Sequence, residues 1–168
     1  QAVQASQEML IPMMRGLSGL LDLQAVLEHV LLSSLQSVGG TGGSLILCAE
    51  DGQPVNGLSV VDGEVQAQGS GARFSPLERD LAKQAARTRE IIHISDTHVE
   101  KRWLSEGAQG AGALPRSVAC APLMAHEQFI GVISLFSRGA NSYSPDQLDL
   151  LQAIAGLAGM AIQQAILF

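Results

Sequence analysis

The sequence predicts an α+β domain whose elements run helix, strands, helix, strand, irregular loop, two strands, helix. Three observations carry this. Two short apolar runs, Ser117–Met124 and Phe129–Ser137, flank a polar break at Ala125–Gln128 and read as a hairpin of two largely buried strands. Two tetrapeptides, Ser75-Pro76-Leu77-Glu78 and Ser144-Pro145-Asp146-Gln147, each carry a helix start. The serine accepts from the first free amides, proline suits the first helical position, and the fourth residue closes a capping box. Finally, the C-terminal stretch is rich in Leu and Ala at helical spacing.

In order along the chain, Ala2 to Leu21 reads as a helix, with Met9, Leu10, Met13, Met14, Leu17 and Leu21 as its apolar stripe. Pro12 and the Gly16/Gly19 pair are points at which it bends or breaks. Asp22 is the expected N-cap of a second helix, Leu23–Val38, with Gly39-Gly40 as its stop. Gly43–Ala49 is a strand, Glu50-Asp51-Gly52 a turn, Pro54–Val61 a second strand and Glu64–Gln68 a short third. The helix capped by Ser75 runs to Thr88 with Leu77, Leu81 and Ala85 inward. Ile91–Ser95 is a strand whose alternation sends Ile92 and Ile94 one way, Ile91 and His93 the other. Asp96–Arg116 shows no period. The last helix carries two stripes, Leu148/Leu151/Ala155/Ala158/Ile162/Ala165 and Leu150/Ile154/Leu157/Ala161/Phe168. One stripe suits a sheet; the other needs a second partner, and Gly156 and Gly159 are expected to let helices approach closely.

The chain has 168 residues, enough for one domain (22–168) preceded by a linker or dimerisation helix (1–21). An apolar fraction of 46% against 15% charged residues supports a sizeable core and excludes global disorder. A net charge of −6 and the lack of any basic run argue against a nucleic-acid surface. Cys48 and Cys120 sit in apolar strand-like runs and read as reduced, buried thiols of a cytoplasmic protein. No signal peptide is visible. Leu150–Phe168 lacks any charge, yet Gln152, Gln163, Gln164, Gly156 and Gly159 interrupt it. A helix buried on two sides is expected there rather than a membrane span.

Four segments in this order resemble the GAF domain: Phe74-Ser75-Pro76-Leu77-Glu78, Ile92-His93-Ile94-Ser95-Asp96 with Arg102-Trp103 following, Arg116-Ser117-Val118-Ala119-Cys120-Ala121-Pro122-Leu123, and Ile130-Gly131-Val132-Ile133. The resemblance covers about Leu20–Ala165. It implies an antiparallel sheet of five to six strands, N- and C-terminal helices packed on one face, and a ligand pocket and loop over the other. It also implies a non-catalytic sensory module of a longer signalling protein. Such a module binds a small molecule, works as a homodimer through its terminal helices, and drives an output domain such as a histidine kinase or cyclase. Bilin-binding relatives attach their chromophore through a cysteine in or near the pocket loop; Asp96–Arg116 has none, so no covalent bilin is expected. The Asn-Lys…Phe…Asp-Glu signature of cyclic-nucleotide-binding relatives is matched only by Phe74 and Glu78. Relatives that reduce methionine sulfoxide need attacking and resolving cysteines, and Cys48 and Cys120 fall in strand interiors, where thiols are usually inert. A second reading, ahead of the thiol-based reductase, is a pocket that is empty in a domain that only dimerises or spaces its neighbours.

The candidate ligand-binding residues are His93, Arg102, Trp103 and Arg116. Trp103 is either a flat wall for a ring-shaped ligand or the anchor of its loop. His93 is either a titratable contact, if its side of the strand faces the pocket, or a hydrogen-bonded histidine beneath a loop. Arg102 and Arg116 bracket the irregular stretch; each holds a carboxylate or phosphate, or pairs with Asp96, Glu100 or Glu106. His98 has no second metal ligand at helical or hairpin spacing, and the glycine-rich run 107–112 lacks the Lys-Ser/Thr of a phosphate loop.

Overall fold

The computed structural model describes residues 22–70, 72–100 and 115–167. The expected helix over Ala2–Leu21, Arg102 and Trp103 lie outside the described residues. The elements are α1 (22–38), β1 (Gly42–Cys48), β2 (Pro54–Val61), β3 (Glu64–Gly69), α2 (Pro76–Thr88), β4 (Ile92–Ile94), β5 (Ser117–Ala125), β6 (Gln128–Ser137) and α3 (Pro145–Leu167). Asp22 is itself helical rather than the residue before the helix.

Among the described residues the strands form one six-stranded sheet in the order β3-β2-β1-β6-β5-β4, antiparallel throughout. The β5–β6 hairpin is tighter than the sequence implies. Ala125 pairs with Gln128, so only His126 and Glu127 make the turn, both at positive φ (51° and 67°). Two left-handed residues match the twist of the flanking strands, which is why the chain tolerates them without glycine.

Strand alternation divides the core. Leu45, Leu58, Ala119, Ala121, Ile133 and Leu135 face α1 and α3 and pack with Leu27, Leu31, Leu151 and Ile162. Ile46, Ile92, Ile94, Val118, Cys120 and Val132 face α2 and pack with Phe74, Leu77 and Leu81. Both Ser-Pro starts form reciprocal capping boxes: Glu78 N donates to Ser75 Oγ (3.1 Å) and Ser75 N to Glu78 Oε1 (2.9 Å). At α3, Gln147 N donates to Ser144 Oγ (3.2 Å) and Ser144 N to Gln147 Oε1 (2.7 Å).

Helix α3 lays Leu151, Ala155, Ala158 and Ile162 on the sheet. Gly159 serves a helix–strand rather than a helix–helix approach, because an added Cβ would collide with the Met124 carbonyl oxygen of β5. Among the described residues nothing approaches Gly156. Among the described residues the helix is buried on one side only: Leu157 is 77% exposed, and Leu150, Met160 and Leu167 are also exposed. By length and composition alone α3 would suffice to cross a membrane, but its inner stripe is occupied by the sheet.

The end of α1 and the start of α3 are bonded together. Gln147 Nε2 donates to the Val38 carbonyl (2.7 Å), and the Tyr143 hydroxyl donates to the Gly39 carbonyl (3.2 Å). Burial holds the Tyr143 hydroxyl well above its usual titration range. Gly40, at φ +134°, leaves room for this junction; a Cβ there would lie 2.7 Å from the Tyr143 hydroxyl and 2.8 Å from the Phe136 carbonyl.

Candidate ligand cleft

A cleft of about 530 Å³ opens at the end of the sheet where β1 and β6 begin and finish. Gly42, Val61 and Phe136, from three adjacent strands, meet there with His98, Arg116 and Arg138. Two of its cations are already neutralised. Arg138 Nη2 pairs with Asp62 at 2.7 Å, and Arg116 Nη2 pairs with Asp96 at 2.6 Å while its Nε donates to Asp96 Oδ1 at 3.3 Å.

The Asp96–Arg116 pair closes the base of the irregular stretch. Around it, Thr97 N donates to the Arg116 carbonyl (2.7 Å), the Thr97 hydroxyl to the Pro115 carbonyl (2.7 Å), and Arg116 N to the Ser137 carbonyl (2.8 Å). His98 N donates to Asp96 Oδ1 at 2.9 Å. The hydrogen bond from Arg116, followed by that from the His98 backbone, holds the Asp96 carboxyl below its usual range; the hydrogen bond to Asp96 in turn raises Arg116.

Of the four residues singled out in the sequence, Arg116 lines the cleft, with its guanidinium directed to Asp96. His93 does not join it. Ile92 and Ile94 belong to the α2 side, so His93 projects to the face covered by the terminal helices, where its Nε2 is buried without a hydrogen-bond partner among the described residues. Arg102 and Trp103 lie outside the described residues. Gly42, Val61, Phe136 and Arg138 were not legible as site residues, because only the strand register brings these sheet ends together.

The cysteines offer little chemistry. Burial pushes both thiols up to about 12, so neither is a thiolate near neutral pH. Cys48 Sγ donates to the Ile46 carbonyl (3.6 Å) and Cys120 Sγ accepts from the Ser134 hydroxyl (3.4 Å). Among the described residues no group of three or more His, Cys, Asp and Glu is arranged to hold a metal ion. On the other face, a groove of about 710 Å³ runs between α1 and α3, lined by Ala25, Val26, His29, Val30, Ala161 and Ala165 among others.

Comparison with known proteins follows the same outline. The PixJ GAF domain of Thermosynechococcus elongatus, in its blue-light-absorbing form, is 16% identical with a TM-score of 0.66, over 90% of each chain. The GAF domain of a phosphoenolpyruvate-protein phosphotransferase from Coxiella burnetii is 13% identical with a TM-score of 0.63, over 86% of this chain and 84% of that one. The GAF-B domain of DevS from Mycobacterium smegmatis is 21% identical with a TM-score of 0.57, over 86% and 95%. At these identities the likeness is one of fold. Residues 21–163 match the GAF domain family directly, from the start of α1 through the sheet and most of α3. The chain therefore belongs to the GAF domain family of regulatory and sensory modules, which typically sense rather than catalyse.

Proposed function

We propose that this GAF domain binds a small molecule non-covalently in the cleft and passes its occupancy to α1 and α3 of a homodimer. The observation that carries the reading is where the cleft walls lead. Thr41 and Gly42 line it directly after the Gly39–Gly40 exit from α1, and Phe136, Ser137 and Arg138 line it a few residues before Tyr143 and α3. The bonds from Tyr143 to Gly39 and from Gln147 to Val38 then join the two helix ends. A ligand that shifts the strand ends therefore acts on that junction, and a coupling of about 1–3 kcal/mol suffices to bias two arrangements of a helical pair. The exposed outer stripe of α3 and the apolar α1/α3 groove support the dimer.

The domain acts in a cytoplasmic signalling protein, and the receiver is an output domain such as a histidine kinase or cyclase; a phosphotransferase carries the related domain from Coxiella burnetii. Covalent attachment of a chromophore is not part of the reading, since Cys48 and Cys120 are strand residues with protonated thiols. Native mass spectrometry of protein purified from cells without added ligand tests it. The expected result is a dimer carrying a reproducible extra mass that is lost on denaturation. A clean dimer without added mass favours a domain that only dimerises or spaces its neighbours.

A further inference from the structure

One step inward from the cleft, the sheet carries a row of small polar side chains. Ser44 of β1 is paired in register with Ser59 of β2 on one side and Ser134 of β6 on the other, and Ser134 is paired with Cys120 of β5. Leu45, Leu58, Val60, Ala119, Ile133 and Leu135 face the terminal helices, so alternation turns all four of these side chains to the opposite face. Two residues along the same face stand Gly42, Val61 and Phe136, which line the cleft. The central strand thus places no side chain between the cleft and Ser44.

Ser44 is fully buried, and its hydroxyl has no hydrogen-bond partner among the described residues. Ser134, also fully buried, gives its proton to the Cys120 sulfur at 3.4 Å and keeps free lone pairs. Buried hydroxyls are nearly always bonded, so an orphan two residues inward of the cleft-lining Gly42, on the same face of the same strand, marks a place where a partner belongs. The row contains no charge. The nearest cationic side chains of the cleft, Arg116 and Arg138, are paired with Asp96 and Asp62 at 2.6 and 2.7 Å.

On the ligand reading above, we infer that the molecule bound here is small and uncharged, and that its hydrogen-bonding end passes over Gly42 to be received by Ser44 and Ser134. An amide, alcohol or ketone meets that description. A carboxylate or phosphate end does not, because the row offers it no counter-charge to offset the loss of water.

Acetamide and acetate, equal in shape and different in charge, make the test. Each is titrated into the full 168-residue chain and followed by amide chemical shifts, in wild type and in Ser44→Ala and Ser134→Ala. Acetamide is expected to shift Gly42, Ser44 and Ser134 saturably, with acetate giving no comparable response. Ser44→Ala should weaken acetamide about 5- to 10-fold without lowering Tm, since it removes a hydroxyl that has no partner among the described residues. Acetate binding as well as acetamide overturns the inference. So do an unchanged acetamide response in Ser44→Ala, a lowered Tm in that variant, and a failure of both probes to reach these amides. A mass co-purified from cells that Ser44→Ala retains also overturns it, while leaving the ligand reading intact. If wild type carries no mass, the ligand reading weakens and the titration alone decides this one.

Discussion

Asp96 and Arg116 hold the two ends of the irregular stretch with a two-pronged contact, and their electrostatics set a pH dependence. The Asp96 carboxyl titrates below its unfolded value in the folded chain. Its stabilising contribution is therefore complete above the ordinary carboxylate value of about 3.9, and is lost as pH falls through the depressed folded value. Arg116 stays charged throughout. The stability difference between wild type and Asp96→Asn is expected to be level near neutrality and to shrink once pH drops below about 4, as urea midpoints against pH would show. A difference that stays constant into strong acid would mean that the pair does not form. The sequence offered Arg116 three carboxylates, and only the fold selects Asp96. Alternation likewise separated His93 from Ile92 and Ile94, but which side holds the cleft depends on where the helices dock, which no local pattern encodes.

Among the elements, α3 places two glycines three residues apart in opposite surroundings. Gly159 is pressed against the β5 backbone at Met124, whereas Gly156 meets nothing among the described residues. Gly156→Ala is expected to stabilise by about 0.5–1 kcal/mol, the gain from replacing glycine in an open helix position. Gly159→Ala is expected to destabilise by about 1–3 kcal/mol, because the helix must lift from the strand. Chemical denaturation of the two variants checks both signs, and equal responses would show that α3 does not seat on β5 at this point. The elements themselves were largely legible. Both capping boxes, the strand runs and the inner stripe of α3 follow from local chemistry and periodicity. The role of Gly159 was not, since a glycine at helical spacing looks the same whether it admits a helix or a strand. The two-residue turn at His126–Glu127 was hidden for a related reason, as neither residue is a usual left-handed turn former.

For the whole molecule, the main open surface is the outer side of α3. Among the described residues, four of the nine exposed large apolar residues lie there: Leu150, Leu157, Met160 and Leu167. A second copy would cover them. Leu157→Glu and Ala161→Glu are each expected to convert the proposed dimer to monomers with an unchanged far-ultraviolet spectrum, read by sedimentation velocity. Dimers that persist in both variants would place the interface elsewhere. The split of the last helix into two stripes was visible in the sequence, and the sheet takes the stripe with Leu151, Ala155 and Ile162. The other stripe needs a cover that the sheet cannot supply, because a single sheet covers only one face of a helix.

Helices α1 and α3 run in opposite directions: Val38 is bonded to Gln147 at one end, and Leu23 and Ile166 border a common groove at the other. The first and last described helical turns therefore emerge side by side. Such a unit behaves as a cassette. It can be spliced between two segments of a polypeptide, or removed from between them, with little change in the route of the flanking chain, and a small sliding of one helix past the other appears at once as a displacement between whatever those segments carry.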